Sequence, residues 1–432
     1  MSLIEFFTSS VYRGPLIGSM FMCLTASIVG VFAFLQKRPL ISETLSHASF
    51  PGVVLGVYVA SFFLSPTDSK LSFFYLTFAF VFCLAALLLV SFMEKKIHVK
   101  SDTVLCYILS FFFAIGLLIA SQMQFVEPYF YKKSLSFLYG QVATMTDTHI
   151  WIYGSLFVFT TIILSLFYYP IKAYLFDPLF FQGLNKSSRF IEGVISLLLL
   201  LAIVVGFSSV GVILLSGMLI APCLAARQWT SKLNLIYIIS GLIGVVSALF
   251  GVIGSTVISS YLNLSFPTGP LIVLTATFIS FSSLLFAPEK GLFFRSFRMF
   301  IFRAKCIEEN LLKGIWQYKI SDIKQMKKQH QLSYVFLFFF LKHMEKSGWV
   351  YKQNRQILLT VDGEKKAKKI VRCHRLWELY LTDYLGIGVE KVHKSAEQIE
   401  HIITEDIERR LTAIMENPKH DPHQKPIPEK QV

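Results

Sequence analysis

Three groups of side chains in this 432-residue chain have the types and spacing to hold a divalent cation. Glu43 and His47, within SETLSHASFPGVVLG (42–56), are four residues apart, so a helix puts a carboxylate and an imidazole on one face. That donor pair suits a borderline ion such as Mn, Fe(II) or Zn. His374 and Glu378 repeat the spacing near the C-terminus, and Glu397 and His401 repeat it again, with Glu400 beside them and His393 one turn before. Oxygen and imidazole donors without a thiolate favour Mn(II) or Fe(II) and a coordination number above four. One such pair on an amphipathic helix is commonly just solvated. Two pairs with an extra His and Glu in one short stretch make ligation the better reading.

The elements that must carry these residues differ along the chain. It is 54% hydrophobic with 42 Phe and a mean hydropathy of +0.57, too apolar for a soluble protein. Of 41 Lys plus Arg, 27 lie from Glu289 onward, as do 18 of the 27 acids, so a membrane part precedes a soluble basic one. Apolar runs near the length that crosses the hydrocarbon begin around Pro15, Glu43, Leu71, Thr103, His149, Arg189, Val210, Lys232 and Gly269. They predict an all-α polytopic bundle of about nine spans, of which the two over 205–226 are hard to separate. Lys37 and Arg38, Lys95 and Lys96, 172–189, Arg227 with Lys232, and Lys290 onward fall on alternate loops. These mark the cytosolic side, and only Lys132 and Lys133 break the pattern. The expected protein is multi-pass in the cell inner membrane, with its N-terminus outside and retained, and its C-terminal part cytoplasmic.

An ionisable pair inside a span is costly and reads as a transport pathway, so Glu43 and His47 are candidates for one; hydration at headgroup level is the alternative. Gly206, Gly211, Ser216, Gly217, Gly241, Gly244, Gly251 and Gly254 are read as close-packing positions. Six scattered Cys without a CxxC pair indicate neither a disulfide framework nor a Cys-based zinc site. No nucleophile–base pair or protease motif supports a membrane enzyme, and no GxxxxGK[ST] loop occurs, so any ATP hydrolysis belongs to another polypeptide.

After Pro288 the stretch EKGLFFRSFRMFIFRAK (289–305) interleaves basic residues with Phe, as a helix at the membrane surface or a plain linker does. Helix, helix, helix and an extended pair over 351–360 then outline a winged helix-turn-helix. Amphipathic helices follow from Gly363 to Met415, and the Pro-rich end reads as loosely ordered. The expected division is 1–292 membrane, 293–306 linker, 307–370 winged helix, and 371–432 metal-binding and dimerisation. The recognition position falls on YVFLFFFLKH (334–343). Base readout needs polar side chains, so Phe338 and Phe339 speak against it. Lys324, Lys327, Lys328, Lys342 and Arg355 could meet phosphates or form a solvated basic face.

Four blocks carry a family resemblance: KRPLISETLSHASFPGVVLG (37–56), LFDPLFFQGL (175–184), GVILLSGMLIAPCLAARQWT (211–230) and FPTGPLIVLTATFISFSSLLFAPEKGL (266–292). In this order they resemble the permeases of metal-ion ABC importers of the ABC-3 type. In that family the first acidic position is commonly Asp; here it is Glu43. The resemblance implies transport of Mn, Fe or Zn, with Glu43 and His47 on the metal path. It also implies a coupling helix at Asp177 and Pro178, which equally read as an N-cap and a first helical residue. An ABC ATPase subunit and an extracytoplasmic metal-binding protein are the implied partners, and a second permease subunit is left open.

The block 371–411, followed by HDPHQKPIP (420–428), is similar to the diphtheria-toxin-repressor and manganese-regulator family. That resemblance implies a dimer, operator DNA as partner, and two metal sites. Glu397, Glu400 and His401 match one, with Asn310 at its first-helix position, and His374, Glu378 and His393 match the other. The fusion resembles chlamydial permease–repressor proteins. The expectation is an importer permease with a C-terminal metal-dependent transcriptional repressor, released by proteolysis between about Pro288 and Ile307. A membrane-tethered sensor and an autoinhibitory metal valve without DNA binding are the alternatives.

Overall fold

Apolar helices in lipid gain little from hydrophobic contact with one another, so small residues and cross-helix hydrogen bonds decide how they assemble. The computed structural model describes residues 7–63, 71–183, 188–263, 266–319, 322–330, 332–353 and 356–429. It divides into two units, Met1–Arg295 and Ser296–Val432.

Among the described residues of the first unit, eight helical stretches are long and apolar enough to cross a membrane. They are α1 (Ser10–Leu35), α3 (Leu71–Lys96), α4 (Ser101–Val126), α6 (Asp147–Leu166), both halves of α9 (Ser188–Trp229), α10 (Leu233–Leu262) and α11 (Thr268–Phe286). The ninth expected span is α2 (Leu40–Ser61), whose Ser42, Glu43, Ser46, His47 and Ser49 dilute its hydropathy although most of the helix is buried. Three shorter helices, α5 (Pro128–Tyr139), α7 (Tyr168–Phe176) and α8 (Pro178–Gly183), lie between the spans. The two runs that the sequence leaves unseparated form one helical stretch, α9, broken at Gly211. There φ is 79° and ψ 164°, a backbone conformation that glycine alone adopts readily.

Hydroxyls tie the bundle together. Ser240 Oγ donates to the Ser27 carbonyl at 2.9 Å, Ser280 Oγ to that of Ala221 at 2.7 Å, and Thr44 Oγ1 to that of Leu105 at 3.2 Å. The small residues differ in what they do. A Cβ on Gly30 would lie 1.8 Å from the Leu219 carbonyl oxygen, so α1 and α9 touch backbone to backbone there, whereas one on Gly254 would meet nothing within 4 Å. Gly254 is therefore not the close-approach position its neighbours suggested.

The second unit begins inside α12 (Leu292–Tyr318), so the segment read as a surface helix or linker is the helical first half of a longer element. α13 (Ile323–His330), α14 (Tyr334–Lys346) and an antiparallel hairpin of β1 (Val350–Gln353) and β2 (Gln356–Leu359) follow. The hairpin register runs from Val350 opposite Leu359 to Gln353 opposite Gln356. These elements share one core of Leu311, Leu312, Ile315, Met326, Leu337, Phe340, Met344, Val350 and Ile357. α15 (Val361–Asp383) starts where Thr360 Oγ1 accepts the Gly363 N–H at 3.1 Å, and α16 (Val389–Ile399) and α17 (Glu405–Ile414) complete the unit. The Pro-rich end is held rather than loose over its described residues. Arg372 donates to the Pro428 carbonyl at 2.7 Å and pairs with Glu408 at 2.9 Å, while Arg375 bonds to the Pro426 carbonyl and Asp421 is buried.

Gly30→Ala is expected to force α1 and α9 apart, an overpacking cost of about 1–3 kcal/mol. It should appear as a lower melting temperature of the detergent-solubilised protein, with Gly254→Ala unchanged in the same assay.

Candidate metal centres

The C-terminal centre is built on α15. Its spacing puts His374 and Glu378 one turn apart on the face that packs on α16, and both are buried. α16 returns after a turn through Gly386, where φ is +64°, and Val392 and Ala396 seat it. His393 is thereby brought over the pair. Three donor atoms form a triangle: His374 Nε2 to Glu378 Oε1 at 3.1 Å, His393 Nδ1 to the same oxygen at 2.9 Å, and the two nitrogens 3.2 Å apart. The His393 side chain is 57% exposed and leaves the centre an approach from solvent. Two imidazole nitrogens and a carboxylate oxygen this close together fit one divalent ion of the Mn, Fe or Zn type.

The electrostatics are those of carboxylates held charged by their imidazole and ammonium partners. Burial alone would raise the Glu378 carboxyl, but hydrogen bonds with His374 and His393 outweigh it and hold the group at about 2. Burial works against a charged His374, yet its hydrogen bonds to Glu378 and Glu400 win and raise its pKa. A metal binds an imidazole through a deprotonated nitrogen, so acid competes with the ion at His374. His374 Nδ1 lies 2.5 Å from Glu400 Oε2, the arrangement in which a carboxylate orients a ligand histidine through its other nitrogen.

The second expected group does not assemble as its spacing suggested. α16 ends at Ile399, with Glu400 as its cap and His401 in the turn beyond. Glu397, with a side chain 55% exposed, reaches His393 Nε2 at 3.6 Å instead. Glu400 Oε1 and His401 Nε2 are 3.7 Å apart. Asn310 is half-buried on α12, and its neighbours make the contacts: Glu309 Oε2 lies 2.7 Å from His401 Nδ1, and Lys313 Nζ donates to both Glu400 oxygens at 3.1 and 2.8 Å. Glu309 and Lys313 are functional-site residues that the sequence reading missed. Their one signal was position, one residue before and one turn after Asn310 on an amphipathic helix.

In the membrane unit, Glu43 and His47 are the only residues of 41–54 that are not fully buried. Glu43 lines a cavity of about 380 Å³ with Ser216, Gly217, Ala221, Thr277 and Ser280 from α9 and α11. His47 packs edge-on against Phe113, and its buried Nδ1 has no hydrogen-bond partner among the described residues. Asp177 caps α8, its Oδ1 accepting the N–H groups of Leu179 and Phe180 at 2.9 and 3.1 Å with Pro178 in the first turn. Phe176, 90% exposed, flanks that cap, as do the exposed Leu179 and Phe180.

Of the basic residues expected at DNA, Lys324, Lys327 and Lys328 of α13 gather beside Leu332 and Ser333, with Lys327 Nζ 3.9 Å above the Tyr334 ring. Lys342 is exposed on α14, and Arg355 lies outside the described residues. α14 turns Leu337, Phe340, Leu341 and Met344 inward and exposes Val335, Phe336, Phe338 and Phe339.

Comparison with known proteins agrees with this division. Residues 10–287 match the ABC 3 transport family, and 360–429 match the iron dependent repressor, metal binding and dimerisation domain. A probable metal transport system membrane protein of Chlamydia trachomatis is 32% identical over 98% of this chain and 97% of its own length. The manganese transport system membrane protein MntC of Bacillus subtilis is 28% identical over 85% of this chain and 83% of its own. Among solved structures, PsaBC from Streptococcus pneumoniae in complex with Fab superposes with a TM-score of 0.56 at 24% identity, covering 67% of this chain and 98% of that one. At that identity the likeness concerns the fold alone. The chain belongs to the ABC 3 transport family of permeases and carries behind it a metal-binding and dimerisation domain of the iron-dependent-repressor type.

Proposed function

We propose that the chain is the membrane-spanning subunit of an ATP-driven importer of a divalent transition metal, Mn, Fe or Zn, and that its C-terminal unit is a metal-dependent transcriptional repressor. The observation that carries the transport half is the environment of α2. Over residues 41–54 of this helix, which its neighbours otherwise bury, a carboxylate and an imidazole one turn apart are the two side chains left partly open. Polar groups at that depth persist where they meet a substrate. As substrate, the ion would exchange hydration water for Glu43 and His47. The transport names of the relatives support this class of cargo.

ATP hydrolysis falls to a separate ATPase subunit, for which Phe176, Leu179 and Phe180 around the Asp177 cap offer a docking surface, and an extracytoplasmic binding protein delivers the ion. The C-terminal unit is cytoplasmic in this reading, as the loop charges require. There His374, Glu378 and His393 would hold the resident ion, which supplies a positive charge that draws α15 and α16 together; Glu400 fixes the His374 ring for it. The 287–291 turn is the non-helical stretch between α11 and α12 and is where release by a protease would cut, since the following residues are helical.

A second reading rests on α14. Its exposed Phe336, Phe338 and Phe339 cannot make the hydrogen bonds that read bases, which favours a tethered sensor or valve without operator binding.

His47→Ala should abolish radiometal uptake while leaving membrane insertion and ATPase association intact; uptake at the wild-type rate would remove His47 from the path. Glu378→Gln, which takes a charged donor from the triangle, should weaken Mn(II) binding by the C-terminal unit at least about 100-fold, measured by equilibrium dialysis. A C-terminal immunoblot of fractionated cells should find a soluble basic fragment, and that fragment should shift its own operator only with metal present. Full-length protein alone at every metal level, or a fragment without operator binding, would leave the valve reading in its place.

A further inference from the structure

The most unusual group near the metal centre is a cation that the chain itself supplies. Lys313 is a buried lysine on α12, with an 11% exposed side chain, and its Nζ sits 2.8 Å from Glu400 Oε2 and 3.1 Å from Oε1. Glu400 has no exposed side-chain surface at all. The same ammonium lies 3.2 Å from His374 Nδ1. Around this point stand the remaining donors of the position where a second ion was expected. His401 Nε2, buried and without a hydrogen-bond partner among the described residues, is 3.7 Å from Glu400 Oε1, while Glu309 holds the other ring nitrogen.

A divalent ion reaching Glu400 and His401 would have to share the carboxylate with that ammonium. Glu309, Glu400 and His401 line a cavity of about 910 Å³, but the Glu400 side chain itself has no exposed surface, and like charges a few ångströms apart around it repel strongly. The lysine has meanwhile satisfied what an ion would satisfy: charge neutralisation of a buried carboxylate and donation to both its oxygens.

We infer that the Lys313 ammonium is the resident cation of this second position, so that the C-terminal unit takes one metal ion instead of two. Glu400 is then a positioning residue. It holds His374 through Nδ1, so that Nε2 faces Glu378 and His393, and Lys313 keeps Glu400 charged and aimed. His401 is locked to α12 through Glu309 and serves as packing of the same network. The exclusion of a second ion stands apart from the function proposed above; the positioning role of Glu400 rests on the first cluster holding metal.

The test is a count of bound metal on the full-length chain in detergent. Wild type, Lys313→Met, Lys313→Arg and Lys313→Met with His401→Ala are dialysed against Mn(II), and metal per chain is read by mass spectrometry. Lys313→Met should gain one equivalent over wild type. Lys313→Arg, which keeps the cation, and the double variant should not. Its melting temperature should fall and recover with Mn(II) by more than that of wild type does. A Lys313→Met protein that stays at the wild-type count overturns the inference. If that variant does not fold, Lys313→Gln, which keeps a donor to Glu400 without the charge, is judged by the same count. His393→Ala in parallel reads the first cluster alone, so loss of the earlier proposal and loss of this one give different results. Glu400→Gln should weaken Mn(II) binding at the first cluster 10–100-fold, the range for losing a ligand's hydrogen-bonded support; unchanged affinity would refute the positioning role.

Discussion

A carboxylate with no exposed surface must be paired, and the C-terminal unit is arranged around pairing Glu400. Lys313 reaches it from α12 and His374 from α15, while Glu400 itself caps α16, so one side chain ties three helices. Removing one partner from such a buried pair costs about 3–5 kcal/mol because a charge is left without compensation. The same network continues outward through His374 to Glu378 and His393, alternating donor and acceptor until it opens to solvent at His393. The outer triangle presents its donor atoms already gathered, and at the inner end the Lys313 ammonium neutralises Glu400.

The membrane unit solves the same difficulty by a different route. Its polar side chains are mostly hydroxyls that give their hydrogen to a carbonyl on their own or a neighbouring helix, so they need no water. Ionic pairs such as Arg38 with Glu94, at 2.9 Å, stand near helix ends. Glu43 lines a cavity, and among the described residues the buried Ser46 Oγ and His47 Nδ1 beside it have no hydrogen-bond partner.

The winged-helix outline and its chemistry point in different directions. Three helices and a hairpin share one core, the outline expected of a winged helix, and lysines gather on α13 beside it. The helix α14 nevertheless spends its outer face on Phe336, Phe338 and Phe339, which a packed interior would normally absorb. Shape and surface chemistry are thus separable here, since the inward residues Leu337, Phe340 and Met344 suffice to hold the fold.

What depends on neighbours in the chain was legible before any coordinates. Hydropathy over a span-length window located the membrane helices, and a spacing of four residues paired Glu43 with His47 and His374 with Glu378, because both follow from the geometry of one helix. Asp177 before Pro178 likewise announced the cap on α8. Tertiary structure decided the rest. α16 stopping at Ile399 left Glu400 as its cap and His401 in the turn beyond, and Arg372 and Arg375 fastened an end that composition marked as loose. Above all, packing of α12 against α15 brought Glu309 and Lys313, distant in sequence, to His401 and Glu400. Periodicity within one helix carries no information about which face of another will meet it. A buried charge finds its partner only when the helices pack.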